Sequence, residues 1–176
     1  MSNIQGIEKS SITDPELLEL MEEALHLGIP GEKFILILAR VPSYAKAILK
    51  AMIIGFNQGN IDHRIKEVMR VQLARFAGDS YSGQLRSKRA IQEGLEEDLI
   101  DSGSNDYEDD ERFSEAEKVA LRFSDQMYLD PKKVDKYFYD EMKKHYSEAQ
   151  IMELGGFMVL QYGMQTFIRT LDLSSD

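Results

Sequence analysis

Asp62-His63-Arg64-Ile65-Lys66-Glu67-Val68-Met69-Arg70, followed by Ala74-Arg75-Phe76-Ala77-Gly78-Asp79-Ser80-Tyr81-Ser82-Gly83-Gln84-Leu85-Arg86, carries most of the architectural information in this chain. Asp62 is a capping residue, and Ile65, Val68, Met69, Leu73 and Phe76 recur at helical spacing behind it. Gly78 interrupts the pattern, and residues 79–93 read as one further helix that ends at Gly94.

Outward from this stretch the same signals repeat. Thr13-Asp14-Pro15-Glu16 opens a helix with a cap, an early proline and an acid near the positive dipole end. Residues 32–40 form a short second segment cut by Pro42, and residues 43–56 resume the helical period. Beyond Gly94, residues 96–101 read as one more turn, and Ser114, Asp130-Pro131 and Ser147 each open a later helix. The last helix, 147–171, is apolar over much of its circumference, which suggests burial against more than one neighbour or in a subunit interface. Residues 101–112 are acidic and turn-rich and read as a solvated loop. No segment alternates as a strand does. The expectation is an all-α fold of about seven to nine helices, with an N-terminal arm at 1–12 and a single helical domain at 13–176.

Composition narrows the function. Of 176 residues, 43% are hydrophobic, enough for a packed core, and the net charge of −10 opposes binding to phosphate backbones and anionic lipid surfaces. Nucleic acid and membrane are therefore not expected partners. No apolar run is long enough to span a bilayer, and residues 1–10 lack the basic-then-apolar pattern of a secretion signal, so a cytoplasmic location is expected. With no cysteine, thiol nucleophiles, thiolate metal sites and disulfides are all excluded.

Glu67, Asp79, Ser82 and Arg86 stand in a register that resembles the carboxymuconolactone decarboxylase and AhpD-like family. Redox members of that family carry a Glu, two cysteines twelve and fifteen positions later, and a His four positions after the second cysteine. Here the spacing is kept without a gap, Gly78 and Tyr81 also suit the pattern, and the resemblance runs over residues 42–171. It implies the AhpD-like helical fold and a homo-oligomer, a trimer or a hexamer. The redox activity does not carry over, because Asp79 and Ser82 cannot exchange disulfides and Arg86 cannot shuttle protons. The decarboxylase branch also lacks the cysteine pair, and it uses acid–base chemistry on a small anionic lactone without metal or organic cofactor.

The resemblance therefore points to a cofactor-free lyase, decarboxylase or isomerase acting on a small carboxylate-bearing metabolite. Glu67 would act as base or acid, Arg86 as anion clamp and Tyr81 as proton donor, with Asp79, Ser82 and His63 holding the substrate. On this reading Glu67→Gln abolishes turnover and leaves the fold nearly intact. His63 and Glu67, four apart, with Asp79 as a third group, also have metal-ligand spacing, but no second imidazole is placed and no metal is expected. Each residue has a plainer explanation too. Glu67 can pair with His63 or Arg70 within one turn, and Arg86 can bridge to Asp79 or Glu67. Ser82 can bond its own helix, and Tyr81 can be a half-buried core residue. The rival function is a non-catalytic ligand-binding or scaffold homologue of the same fold.

Overall fold

The computed structural model describes residues 2–173, so the ends of the expected arm and domain at 1 and 174–176 lie outside the described residues. Among the described residues ten α-helices follow one another: α1 Pro15–Leu27, α2 Glu32–Leu38, α3 Pro42–Asn57, α4 His63–Ala77, α5 Ser80–Gln84, α6 Lys88–Gln92, α7 Glu97–Ser102, α8 Glu115–Leu129, α9 Lys136–Met142 and α10 Glu148–Thr170. Short 3-10 turns sit at Lys9–Ser11 and Pro131–Lys133, and among the described residues there is no strand. The chain is all-α, as the sequence predicts. Among the described residues no helix is long and apolar enough to cross a membrane.

The start signals act as read. Asp14 accepts from the Leu17 amide at 3.1 Å, and Asp62 accepts from the Arg64 amide at 2.7 Å. Ser114 with Glu117, and Ser147 with Gln150, form capping boxes at the starts of α8 and α10. Gly78 ends α4 in the left-handed region at φ 64°.

α4 is the axis of the molecule, and its burial is broader than a one-sided stripe. Ile65, Val68, Met69, Val71 and Leu73 are buried, each worth about 1.5–3 kcal/mol of transfer free energy. Lys66, Glu67, Arg70 and Gln72 are buried on the same helix, so each must find a partner inside the protein. Lys66 Nζ donates to the Gln58 carbonyl at 2.7 Å and meets Glu153 at 2.6 Å. Gln72 Nε2 donates to Asp125 at 2.8 Å, and Glu67 and Arg70 take each other.

Two apolar clusters flank this axis. One gathers α4, α8 and the first half of α10 through Ile151, Leu154, Phe157 and Met158. The other gathers α1 to α3 with Ile168 and Leu171. α10 reaches both clusters, which is why its apolar character runs so far along the chain. Met152, Val159 and Phe167 on the same helix are left exposed.

Two expectations need correction. The acidic segment 101–112 is not simply a solvated loop: Tyr107 is 5% exposed and its hydroxyl donates to Asp125. Glu108 is held by Arg122 through two bonds of 2.6 Å, and the Glu108 carbonyl accepts from Lys118 at 2.9 Å. Nor is 79–93 one helix. It breaks at Leu85, which is extended at φ −67° and ψ 147°, and Ser87 caps a new helix by accepting from the Ala90 amide. The cause of that break is the site itself.

Candidate functional site

A continuous helix through 80–92 would bond its carbonyls to amides four residues on. Here the carbonyls of Ser82 and Leu85 accept from the Arg70 guanidinium at 2.7 and 2.6 Å, and the Ser87 amide donates to Glu67 at 2.9 Å. Arg86 folds back on its own segment and donates to the carbonyls of Gly83 and Leu85 at 2.5 and 2.8 Å. A buried ion pair on α4 thus replaces the backbone bonds that the break gives up.

Glu67 is fully buried and Arg70 nearly so. Arg70 Nε donates to Glu67 Oε2 at 2.7 Å and Nη2 to Oε1 at 2.8 Å, a fork-on-fork arrangement. With the Ser87 amide added, each Glu67 oxygen is engaged. Of the two plain alternatives for Glu67, the partner is Arg70.

His63 lies one turn before Glu67, also buried. Its Nδ1 is 3.1 Å from the Phe56 carbonyl, which can only accept, so Nδ1 carries the proton. Nε2 is then the acceptor for the Ser87 hydroxyl at 2.7 Å. Burial pushes the imidazole below its ordinary value, and the Phe56 carbonyl opposes that in part. Both ring nitrogens are committed to the protein.

Asp79 is 3% exposed and caps α5, with Oδ1 accepting from the Ser82 amide at 3.2 Å. Oδ2 is buried with no protein partner. Burial raises the carboxyl pKa, and the hydrogen bonds of Ser82 and the charge of Arg70 pull it back. Tyr81 points elsewhere. It belongs to the cluster of α1 to α3, and a Cβ on Gly31 would come within 2.1 Å of its hydroxyl. Burial raises the Tyr81 phenol, offset by the backbone amides of Phe34 and Lys33.

Arg86 is not paired with Asp79 or Glu67. The break at Leu85 removes the four-residue phase that would have set it over Ser82, and it meets Glu97 instead at 2.7 Å. Those bonds to Glu97 push its pKa up. Among the described residues, no group of three or more His, Asp or Glu side chains converges to hold a metal.

A small cavity of about 10 Å³, room for about one water, adjoins the ion pair. Ile29, Met52, Leu85, Met164 and Ile168 supply apolar wall, and Arg70, Ser82, Gln161 and Gln165 supply the polar groups. Of the candidate residues from the sequence, only Ser82 lines it. Asp79 lines a larger, open cleft of about 370 Å³, with Arg75, Gly78 and Gln84. Sequence reasoning offered Arg70 only as a pairing partner for Glu67 and overlooked Ser87, Gln161 and Gln165. The glutamines carried a readable signal: two buried polar residues four apart in the apolar half of α10.

This helical frame is the AhpD-like fold, and the comparisons with solved structures rest on it. A cysteine-to-alanine variant of the debrominase Bmp8, in complex with 2,3,4-tribromopyrrole, superposes with a TM-score of 0.83 at 19% identity, covering 100% of this chain and 92% of that one. Apo Bmp8 matches with a TM-score of 0.82 at 19% identity, over 99% and 92% of the two chains. A protein of unknown function from Agrobacterium tumefaciens, for which an AhpD antioxidant defence role has been suggested, matches with a TM-score of 0.68 at 15% identity, over 78% of this chain and 94% of that one. No protein-family profile and no curated protein sequence matches the chain.

Proposed function

We propose that the protein binds a small organic molecule in the open cleft beside Asp79, of about 370 Å³, and that Glu67 serves as the fixed counterion of Arg70 rather than as an acid or base. One observation carries this reading: Glu67 is fully buried, gives three of its roughly four acceptor sites to Arg70 and the Ser87 amide, and lines neither the cleft nor the cavity, whereas a proton-transfer group must face the reacting atom. The anion clamp expected of Arg86 has no place in it, since that guanidinium is occupied by Glu97 and does not line the cleft. Bmp8, a protein of the same fold, is held in complex with a small ring, which supports a ligand of that size here. Incubation with a panel of small metabolites, followed by recovery and NMR of the compounds, tests the reading. A compound bound and returned unchanged is the expected result, and conversion of a bound compound overturns it.

A second reading keeps cofactor-free lyase, decarboxylase or isomerase chemistry, and Asp79 favours it. Its carboxyl is raised by burial and its Oδ2 has no protein partner, both useful in a general acid or base. In that reading Asp79 exchanges the proton with a substrate held in its own cleft, beside Arg75 and Gln84. Turnover that survives Glu67→Gln in the folded protein and disappears in Asp79→Asn is its signature. Self-assembly into a trimer or hexamer also belongs to the proposal, supported by the exposed apolar residues Met152, Val159 and Phe167 along α10. Light scattering on the eluting protein tests it, and a monomer at micromolar concentration rejects it.

A further inference from the structure

α10 has an outer face that no described residue covers. Met152, Val159 and Phe167 lie on it at 74%, 57% and 44% exposure, and Gly156, Gly163 and Thr170 are exposed between and beyond them. These positions step by three or four residues, so they share one side of the helix over about 27 Å. None of them is charged, in a chain that is 30% charged. A Cβ on Gly156 or Gly163 would meet nothing within 4 Å, although glycine inside a helix costs about 0.5–1 kcal/mol relative to alanine. Packing within one chain gives no reason for that cost, whereas a second backbone lying close along the face does. α3, which packs beside α10 with Phe56 stacked on Phe157 at 5.9 Å, likewise leaves the uncharged Tyr44, Ala47, Ala51 and Ile54 exposed.

The order of the stripe fits a second copy of the same chain. Met152, Gly156, Val159, Gly163 and Phe167 run large, small, large, small, large from either end. A two-fold axis through the outer face, level with the bond between residues 159 and 160, pairs Met152 with the partner's Phe167 and Gly156 with the partner's Gly163. It also sets Val159 against the partner's Val159. Two chains of net charge −10 meet there without opposing carboxylates. The antiparallel crossing further lays the basic end of each helix over the acidic end of the other, with Arg169 level with residue 150 of the partner, between the partner's Glu148 and the partner's Glu153. Glu148 pairs with Lys143 yet stays 79% exposed, so its carboxylate is open to a second cation. Arg169 donates to the Ala77 carbonyl at 3.3 Å and lies against Gly78, at the rim of the Asp79 cleft, so the second copy borders that cleft.

We infer that the outer face of α10 is a two-fold contact with the α10 of a second copy. The inference rests on the self-assembly reading above and makes the assembly even-numbered, a hexamer rather than a lone trimer. The chain has no cysteine, so introduced cysteines report the contact without background. Val159→Cys in the 176-residue chain, oxidised at micromolar concentration, is expected to cross-link to its own copy at least about tenfold faster than Leu129→Cys, at an exposed site on α8. Met152→Cys and Phe167→Cys lie far from the axis, so each alone stays at the Leu129→Cys rate, and the variant carrying both cross-links. Light scattering on the wild type is expected to give an even number of subunits. A lone trimer, or an assembled Val159→Cys protein that cross-links no faster than Leu129→Cys, overturns the two-fold contact while self-assembly stands. A monomer overturns the self-assembly reading and the inference with it.

Discussion

Glu67 and Arg70, three residues apart on α4 and 0% and 2% exposed, grip each other through bonds of 2.7 and 2.8 Å and together bond the Ser82 carbonyl, the Leu85 carbonyl and the Ser87 amide. The pair is thus the tertiary partner of a broken helix. α5 and α6 are short because their junction hydrogen bonds to α4 rather than to itself.

Removing one member of that pair strands a buried charge. Glu67→Gln is expected to cost about 3–5 kcal/mol, the range for breaking a buried pair from one side. Glu97→Ala, which breaks the pair to Arg86 where Glu97 is 63% exposed, should cost at most about 1 kcal/mol. Urea unfolding of the two variants checks the contrast. Equal losses would refute the structural role of Glu67.

His63 makes stability depend on pH in a set direction. Its folded pKa lies below the ordinary 6.5, so between those two values the unfolded chain binds the proton and the native imidazole does not. Stability from this residue is complete above 6.5 and falls as pH drops toward the folded pKa. Ring chemical shifts should report His63 more than half neutral at pH 6.5. A ring half-protonated at or above that pH contradicts the assignment.

Asp79 works in the opposite sense to an ordinary carboxylate. With a folded pKa raised above 3.8, the native state holds its proton more tightly than the unfolded chain, and stability is lost as pH rises through the folded value. Asp79→Asn keeps an oxygen to cap Ser82 and removes the charge. It should therefore gain stability relative to wild type on going from pH 4 to pH 8. A difference that stays constant across that range rules the buried charge out as the cause.

Tyr107 anchors the acidic segment. Its hydroxyl donates to Asp125, a carboxyl already raised by burial, so Tyr107→Phe leaves that group short of a partner. A loss of about 1–3 kcal/mol is expected, together with faster proteolysis between 101 and 112. Unchanged cleavage kinetics would show that the Glu108–Arg122 pair alone holds the segment.

The helices around Asp14, Asp62, Ser114 and Ser147 were legible in the sequence because a cap is decided by a few neighbouring residues. The all-α class followed from the helical period, and the Glu67 register pointed to the AhpD-like fold. The same local reasoning ran one helix through 79–93 and set Arg86 above Ser82, because phase along a chain assumes that the backbone bonds itself. Only the tertiary structure brings Arg70 within reach of the Ser82 and Leu85 carbonyls, and that contact ends the helix and turns Arg86 toward Glu97. It likewise joins Ser87 to His63, 24 residues earlier, and Gln165 to Arg70 across 95 residues. Spacing tells which residues share a helix; which buried charges and amides satisfy one another depends on how the helices pack, and that decided the site.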